Sequence, residues 1–232
     1  MGAYAEVYEG WKRDPESFWM GAASAIDWVK QPSRAFFADQ GSYGRWFADG
    51  VCNTCYNAVD RHVLGGRADQ AALIYDSPIT GTQQTYTYAE LKSEVEALAA
   101  VLVDRGVGKG DRVMIYMPMI PQAAFAMLAC ARIGAVHSVV FGGFASAELA
   151  TRIDDCAAKC VISASCGIEP GRVIAYKPLL DGAIDMAENK PQSTVILQRK
   201  QQTCDLTDGR DYDYASEVAA HKAAETQVDC VD

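Results

Sequence analysis

The chain has 232 residues, half of them hydrophobic, which supplies enough apolar surface for one large domain or a domain and a half. Charged residues make up 22% of the sequence and aromatic residues occur throughout, so the composition excludes a disordered chain. The formal net charge is −9 and no basic stripe occurs, so we expect neither nucleic acid nor an anionic membrane as a partner. A small anionic ligand is compatible with this charge, because a local site can oppose it.

The sequence contains no stretch with the length of a membrane span. The longest uncharged apolar run, residues 123–131, falls far short of the roughly 20 residues required. Residues 1–20 mix acidic, basic and aromatic side chains and lack the apolar core of a secretory signal. We therefore expect a soluble, cytoplasmic protein.

The first predicted segment, residues 1–65, is rich in aromatic residues and contains all four tryptophans of the chain. Short helices are predicted at 3–13, 15–25 and 51–63, the last of them capped by Asp49. Because no strand-like alternation accompanies the aromatic residues, we expect this segment to wrap over another surface rather than form its own core.

The second segment, residues 66–110, begins with a predicted β-hairpin over 71–87. Thr87 and Glu90 have the spacing of a capping box, in which two side chains satisfy unpaired backbone N–H groups at a helix start. The helix that follows has an apolar face made of Leu91, Val95, Leu98 and Leu102.

In the third segment, residues 111–200, apolar strands alternate with helices at a spacing that fits right-handed βαβ units of a parallel sheet. The fourth segment, 201–232, is a polar tail with one predicted helix at 213–224. Together the segments predict the α/β class: a parallel sheet with flanking helices, preceded by an irregular helical N-terminal wrap and a β-hairpin. The predicted elements of the third segment are strand 112–117, a buried helix from Pro121 to Gly134, strand 136–141, helix 146–157, strand 160–165, helix 178–188 and strand 194–198.

A parallel sheet binds ligands at the carboxyl ends of its strands, which selects the loops after the first three strands. In the second loop, Gly142 and Gly143 follow Phe141, and paired glycines at such a turn let the backbone approach a ligand closely. Neither the G-x-G-x-x-G fingerprint nor the G-x-x-x-x-G-K-[ST] phosphate loop occurs, so a tight turn with aromatic packing explains these residues equally well. The three loops are residues 118–121, 141–146 and 165–173.

The third loop contains Glu169, Pro170, Gly171 and Arg172. An arginine directly after a glycine, among apolar neighbours, is a candidate anchor for a phosphate or carboxylate group. A solvated loop charge is the alternative, and the residues alone do not decide between the two.

Residue spacing indicates no catalytic group. Asp60, Arg61 and His62 are adjacent on a predicted helix, where neighbouring side chains do not face each other. A hydrogen-bond cluster at the helix end is therefore favoured over a catalytic dyad. His137 lies within an apolar strand, and we expect it to be a hydrogen-bonded core residue.

The eight cysteines do not have the spacing of a metal site. Cys52 and Cys55 form one close pair, but a structural zinc ion needs four ligands. Cys156 and Cys160, the only plausible second pair, span a helix–strand boundary. We predict no bound metal, and reduced thiols whose pKa is raised where they lie in apolar runs, as for Cys130 and Cys160.

Five motifs of the sequence are specific enough to compare with known families: P-E-S-F-W at 15–19, I-D-W at 26–28, W-F-A-D-G at 46–50, D-R-H at 60–62 and G-A-V-H-S-V-V-F-G-G-F at 134–144. In these motifs the chain resembles the N-terminal part of the AMP-forming short-chain acyl-CoA synthetases, the acetyl- and propionyl-CoA synthetase group. Within the resemblance, the stretch 167–180 is closer to the propionate enzymes than to the acetate enzymes.

The resemblance implies a part of the large N-terminal domain of an adenylate-forming enzyme. It implies that Phe141 and Gly142, with Gly143 in the same loop, help form the wall for the adenine of coenzyme A (CoA). It also implies that the loop from Glu169 to Arg172 lies at the CoA 3′-phosphate. Acetyl-CoA synthetases usually have a second arginine where this sequence has Glu169, and because a carboxylate repels phosphate, we expect Glu169 to turn away.

The family's phosphate loop, its adenylate-binding aromatic–Thr–Glu motif, its ribose-binding aspartate and its catalytic lysine do not occur here. The resemblance thus implies the N-terminal fragment of a propionate–CoA ligase, inactive alone and without the ATP site. The complete enzyme would use ATP, Mg²⁺ and CoA with a short-chain carboxylate, and the fragment's partner would be the remainder of its own polypeptide. Two alternatives stay open: an acetate–CoA ligase fragment, and a self-standing CoA- or nucleotide-binding module without catalysis.

Overall fold

The structure is a computed structural model that describes residues 2–223. The chain divides into two compact units, one ending at Asn53 and the other beginning at Thr54, and each is described by itself. The four segments predicted from the sequence, and the packing of residues 1–65 over the sheet, stay predictions.

The first unit opens with two helices, α1 (Ala3–Arg13) and α2 (Pro15–Ala23), close to their predicted ranges. The carboxylate of Asp14 accepts a hydrogen bond from the backbone N–H of Ser17 at 3.0 Å and so caps α2. A short antiparallel pair follows, consisting of β1 (Phe36–Phe37) and β2 (Arg45–Trp46).

Aromatic rings pack against one another in this unit. The ring centre of Trp46 lies 5.4 Å from that of Trp19 and 5.0 Å from that of Phe36. Trp28 and Phe47 lie 5.7 Å apart. Tilted and edge-on arrangements of this kind are favourable for aromatic pairs.

The helix predicted at 51–63 takes a different form. The carboxylate of Asp49 accepts a hydrogen bond from the backbone N–H of Ser33 at 3.1 Å, so the prediction that Asp49 caps this helix is wrong. At the start of the second unit, residues 54–67 are helical, and this stretch contains two π-helical turns, Tyr56–Asp60 and Val63–Arg67.

The hairpin and the capped helix of the second unit are confirmed as β3 (Ala71–Ser77), β4 (Thr82–Thr87) and α3 (Tyr88–Asp104). The hydroxyl of Thr87 accepts from the backbone N–H of Glu90 at 3.2 Å, and the Glu90 carboxylate accepts from the Thr87 N–H at 2.8 Å. The predicted apolar face of α3 is buried.

Five parallel strands form the main sheet, and the predicted parallel α/β architecture is confirmed. The strands that follow α3 are β5 (Arg112–Met117), β6 (Val136–Phe141), β7 (Cys160–Ala164), β8 (Cys166–Glu169), β9 (Arg172–Ala175), β10 (Ser193–Leu197) and β11 (Asp211–Asp213). In the sheet order β11-β10-β7-β5-β6, Ile115 of β5 lies opposite Val139 of β6 on one side and Ile162 of β7 on the other. Outside this sheet, β8 and β9 form a separate antiparallel hairpin.

Helices cover both faces of the sheet. One core layer joins the sheet to α3, α4 and α7, and the other joins it to α5 and α6. Side chains of β5 alternate between the two layers, with Ile115 in the first and Tyr116 in the second, as the pleat of a strand requires. The helices after α3 are α4 (Pro121–Arg132), α5 (Ser146–Cys156), α6 (Tyr176–Met186) and α7 (Tyr214–Ala223).

Three predictions need correction. The segment 165–173 is not a loop but contains most of the β8–β9 hairpin, which turns at Pro170 and Gly171. The helix predicted at 178–188 begins earlier, at Tyr176, because proline is tolerated within the first turn. The tail contributes the fifth strand, β11, before α7, and residue 224 of the predicted helix 213–224 lies outside the described residues.

His137 is exposed, so its predicted place in the core is wrong. It lies on β6, an edge strand of the described sheet, on the face opposite the buried Val140. Across the described residues, no helix has the length and apolar character to cross a bilayer.

Asp60 belongs to a buried ion-pair network. Its carboxylate accepts hydrogen bonds from Nη1 and Nη2 of Arg132, at 2.7 and 3.0 Å, and Arg132 also donates to Glu96 at 2.8 Å. The ring centre of His62 lies 4.7 Å from that of Tyr88. Asp60 is therefore part of a structural hydrogen-bond cluster, whereas the contact shown for His62 is one between rings.

A second buried network joins the tail to α6. The buried carboxylate of Asp211 lies 3.0 Å from Nζ of Lys177 and 2.6 Å from Nε of Arg210, and it accepts from the Thr194 hydroxyl at 2.7 Å. Burial opposes ionisation of Asp211, but hydrogen bonds from Arg210, Thr194, Thr207 and Lys177 outweigh it and hold the pKa of Asp211 well below its ordinary value.

We expect this network to make stability depend on pH. A carboxylate with a lowered folded-state pKa stabilises the fold above its unfolded pKa of about 3.9, and that contribution is lost as the pH falls through the folded pKa. Asp211→Asn should lower the unfolding free energy at pH 7 by about 3 kcal/mol and flatten its decline below about pH 5. Urea unfolding at several pH values measures both effects.

Asp39→Asn is the matched control, since Asp39 forms an exposed ion pair with Arg34 at 2.8 Å. Loss of this ion pair should lower the unfolding free energy by less than about 1 kcal/mol. Equal pH dependence of the unfolding free energy in Asp211→Asn and in the unmodified chain would contradict the prediction.

Candidate ligand site at the carboxyl edge of the sheet

The carboxyl ends of β5 and β7 are neighbours, but the chain leaves them towards opposite faces of the sheet. From β5 it continues into α4 on one face, and from β7 it passes through the β8–β9 hairpin into α6 on the other. A switch of this kind opens a crevice outside the sheet, where α/β folds bind ligands.

A cavity of about 450 Å³ lies at this edge. Its walls come from the β3–β4 hairpin, the β5–α4 loop, the end of β6 and the end of β8, and most of its lining side chains are apolar. Glu169, Tyr176 and Arg199 are among the side chains that add polar groups to it. Apolar walls with a few polar groups are typical of sites for organic ligands.

A second, more open cavity of about 530 Å³ lies at the turn of the β8–β9 hairpin. It shares Ile79, Ile168 and Glu169 with the first cavity and extends to Arg172 and Val173. The two cavities thus meet along one side of the hairpin.

Glu169 and Arg172 form an ion pair across the turn of the hairpin. Nε of Arg172 donates to Oε2 of Glu169 at 2.8 Å, and Nη2 lies 2.6 Å from the same oxygen. Pairing in the strand register places the two residues opposite each other, so attraction between their charges brings the side chains together. The expectation that Glu169 turns away is therefore wrong. Both side chains are exposed, so the pair contributes little to stability.

Gly142 and Gly167 enclose the end of the Tyr176 side chain. A Cβ at either position would overlap the Tyr176 hydroxyl, and one at Gly142 would also lie 2.8 Å from Cζ of the ring. On its other side, Tyr176 stacks on Tyr116, with ring centres 4.8 Å apart. The close backbone approach predicted for Gly142 is therefore made to a tyrosine of the chain itself.

Phe141 stands at the wall of the first cavity with 72% of its surface exposed. Its ring centre lies 6.0 Å from that of Phe144, the next aromatic residue of the loop. Gly143 has a φ of +117°, a conformation that requires glycine, and it lines neither cavity.

The predicted residues thus gather at one edge of the sheet. Phe141, Gly142 and Glu169 line the first cavity, and Glu169 to Arg172 line the second. Tyr176 and Arg199 also line the first cavity and were not predicted from the sequence. Arg199 comes shortly after the carboxyl end of a predicted strand, which is the signal that could have identified it; no comparable signal marks Tyr176.

Within residues 2–223, no group of three or more histidine, cysteine, aspartate or glutamate side chains is placed to hold a metal ion. Burial raises the pKa of Cys130 to about 12 and that of Cys160 to about 11, as their apolar surroundings predict. These two thiols are therefore protonated at neutral pH and are poor nucleophiles.

The contact between Gly142 and Tyr176 predicts a coupled mutational effect. Gly142→Ala should destabilise the chain by about 1–3 kcal/mol, because the added methyl group overpacks against the Tyr176 hydroxyl. In a Tyr176→Phe background part of this cost should disappear, since the hydroxyl is gone, and a double-mutant cycle in urea measures the coupling.

Gly65→Ala is the matched control, because a Cβ at Gly65 meets nothing within 4 Å. If Gly142→Ala were as well tolerated as Gly65→Ala, the tight packing around Tyr176 would be refuted.

Comparison with known families gives two matches. Residues 60–228 match the model of the AMP-binding enzyme family. Residues 4–58 match the acetyl-coenzyme A synthetase N-terminus. The two matches together extend over almost the whole chain.

Relatives and a solved structure agree with these matches. Acyl-CoA synthetase short-chain family member 3, mitochondrial, of Homo sapiens is 50% identical over 89% of this chain and 30% of its own length. The propionate–CoA ligase of Salmonella typhimurium is 41% identical over 97% of this chain and 36% of its own length. The structure of acetoacetyl-CoA synthetase from Streptomyces lividans superposes on the whole chain with a TM-score of 0.84 at 23% identity, which shows a shared fold, and 34% of that chain is covered.

The chain therefore spans about a third of the length of the relatives it matches. Because the larger family match covers well over half of its residues, the chain belongs to the AMP-binding enzyme family, and its relatives are short-chain acyl-CoA synthetases.

Proposed function

We propose that this chain is the N-terminal part of an AMP-forming propionate–CoA ligase and that its cavities bind the nucleotide half of CoA. In the complete reaction, a carboxylate oxygen attacks the α-phosphorus of ATP, and the bond to the leaving pyrophosphate breaks. The CoA thiol, losing its proton, then attacks the acyl carbon, and the bond to AMP breaks. The observation that carries the proposal is the gathering of Phe141, Gly142 and Arg172 around two joined cavities in a chain of this family.

The residues of this chain are proposed to bind and orient CoA. The exposed ring of Phe141 offers a flat apolar surface for the adenine, and stacking on aromatic rings is a common way to bind bases. Arg172 at the hairpin turn offers charged donors for the 3′-phosphate.

Glu169 pairs with Arg172 but does not use all of its hydrogen-bond donors. Nε and Nη2 of Arg172 face Glu169, so Nη1 keeps its donors for a phosphate. The carboxylate lowers the net positive charge beside the phosphate, and we therefore expect a weaker anchor than two arginines would give.

The proposal assigns ATP and Mg²⁺ to the part of the polypeptide outside this chain, because the sequence lacks the family's phosphate loop and ribose-binding aspartate. Propionate is favoured by the propionate–CoA ligase relative, whereas the N-terminal match bears the name of acetyl-coenzyme A synthetase, so acetate is the second candidate. A cytoplasmic location stays a prediction, and one relative is named as mitochondrial.

Activity is expected only from the complete polypeptide. It should release pyrophosphate with ATP and propionate and then form propionyl-CoA, with a higher kcat/KM for propionate than for acetate. The 232-residue chain alone should release no pyrophosphate above background, because it lacks the ATP-binding motifs. Coupled pyrophosphate assays measure both, and adenylation by this chain alone would refute the fragment interpretation.

Arg172→Ala in the complete polypeptide should raise the KM for CoA about tenfold, since a hydrogen bond between charged groups near the surface is lost. With dephospho-CoA, which lacks the 3′-phosphate, the same change should have little effect. Glu169→Gln should lower the KM for CoA but not the KM for dephospho-CoA, because it removes the carboxylate that competes with the 3′-phosphate for Arg172. Equal effects of Arg172→Ala on CoA and dephospho-CoA would make Arg172 a structural residue.

A further inference from the structure

Tyr176 is a buried residue at the wall of the first cavity. Only 3% of its surface is exposed. Tyr176 lines the 450 Å³ cavity, and the backbones of Gly142 and Gly167 pack against its hydroxyl. A phenolic hydroxyl can donate one hydrogen bond, so Tyr176 adds a donor to the lining of this cavity.

Arg199 lines the same cavity and is held in place by two hydrogen bonds. Its backbone N–H donates to the Ser165 hydroxyl at 2.8 Å, and its Nη1 donates to the carbonyl oxygen of Cys166 at 3.1 Å. Among the described residues, no carboxylate lies within ion-pair distance of its guanidinium group. Arg132, Arg172 and Arg210 each have such a partner.

Tyr176 and Arg199 both line the first cavity. Burial is the main cause that raises the pKa of Tyr176 to about 12, and the positive charge of Arg199 opposes this shift. At neutral pH the hydroxyl is therefore protonated and able to donate. One neutral donor and one unpaired cation together suit an anionic oxygen.

The position of the pair selects which anionic group it would bind. Arg199 is anchored at Cys166, the first residue of β8, whereas Arg172 lies opposite Glu169 at the far end of the hairpin. Three residues of strand separate the two anchors, a distance of about 10 Å. A ligand with two separate anionic groups can therefore contact both arginines, one at each end of the hairpin.

We propose that the Tyr176 hydroxyl and the Arg199 guanidinium group bind the diphosphate of CoA, while Arg172 binds its 3′-phosphate. This inference rests on the proposed function and adds two ligand-binding residues to it.

The test uses the complete polypeptide with Tyr176→Phe and Arg199→Gln. Arg199→Gln should raise the KM for CoA and for dephospho-CoA by the same factor, about tenfold, because both ligands carry the diphosphate. Tyr176→Phe keeps the ring and should raise both values about fivefold. Arg172→Gln should raise only the KM for CoA. Pyrophosphate release from ATP and propionate without CoA is measured for each variant, because an effect on that step would not involve CoA.

Lys200→Gln removes a neighbouring exposed charge and is the control, with no change expected in either KM. Arg199→Lys, which keeps the charge, should recover part of the affinity lost in Arg199→Gln, and thermal melting shows whether each variant is folded.

An unchanged KM for dephospho-CoA in folded Arg199→Gln and Tyr176→Phe would overturn the inference and leave the proposed function intact. A raised KM for ATP in the adenylation step would assign the pair to another phosphate ligand and also overturn it. Failure of the unmodified polypeptide to form any CoA thioester would instead refute the proposed function.

Discussion

The packing of Tyr176 is the constraint on which the candidate site depends. Its ring stacks on Tyr116 of β5, and its hydroxyl fits between Gly142 after β6 and Gly167 in β8. One side chain thus connects β5, the end of the edge strand β6 and the β8–β9 hairpin. Because overlap with Tyr176 excludes a Cβ at Gly142 and Gly167, both positions require glycine for packing, whatever ligand lies beside them.

The charged side chains that support the fold are paired differently from those at the candidate site. Arg132 and Lys177 are buried, and both have carboxylate partners, as a buried charge requires. These pairs connect distant parts of the second unit: a π-helical turn to α4, and the tail to α6. At the cavities the arrangement differs, because Arg172 shares its charge with one exposed carboxylate and Arg199 has none among the described residues. An acidic chain can in this way keep a local positive charge for an anionic ligand.

The candidate site was only partly predictable from the sequence. Phe141, Gly142, Glu169 and Arg172 were identified because loops after parallel strands meet at one edge, and they do line the cavities. The direction of the Glu169 side chain was wrong, because the loop is a two-stranded hairpin that places Glu169 opposite Arg172. Tyr176 was not predicted because its contacts are visible only in the fold. Gly142 is far from it in the sequence, and nothing in the sequence around Gly167 indicates that it contacts Tyr176.

The sequence by itself determined the local elements and their parallel arrangement. Capping of α3 by Thr87 and Glu90, the hairpin before it and the apolar strands from β5 to β7 all follow from nearest-neighbour chemistry and periodicity. The fifth strand, Asp211–Asp213, was not predictable, because three polar residues are held in the sheet by pairing with β10 and by the buried Asp211 network. His137 was misplaced because the exposure of an edge strand depends on which elements lie beside it. Only the tertiary structure decided these points, since pairing, burial and the directions of Glu169, Tyr176 and Arg199 depend on residues far away in the chain.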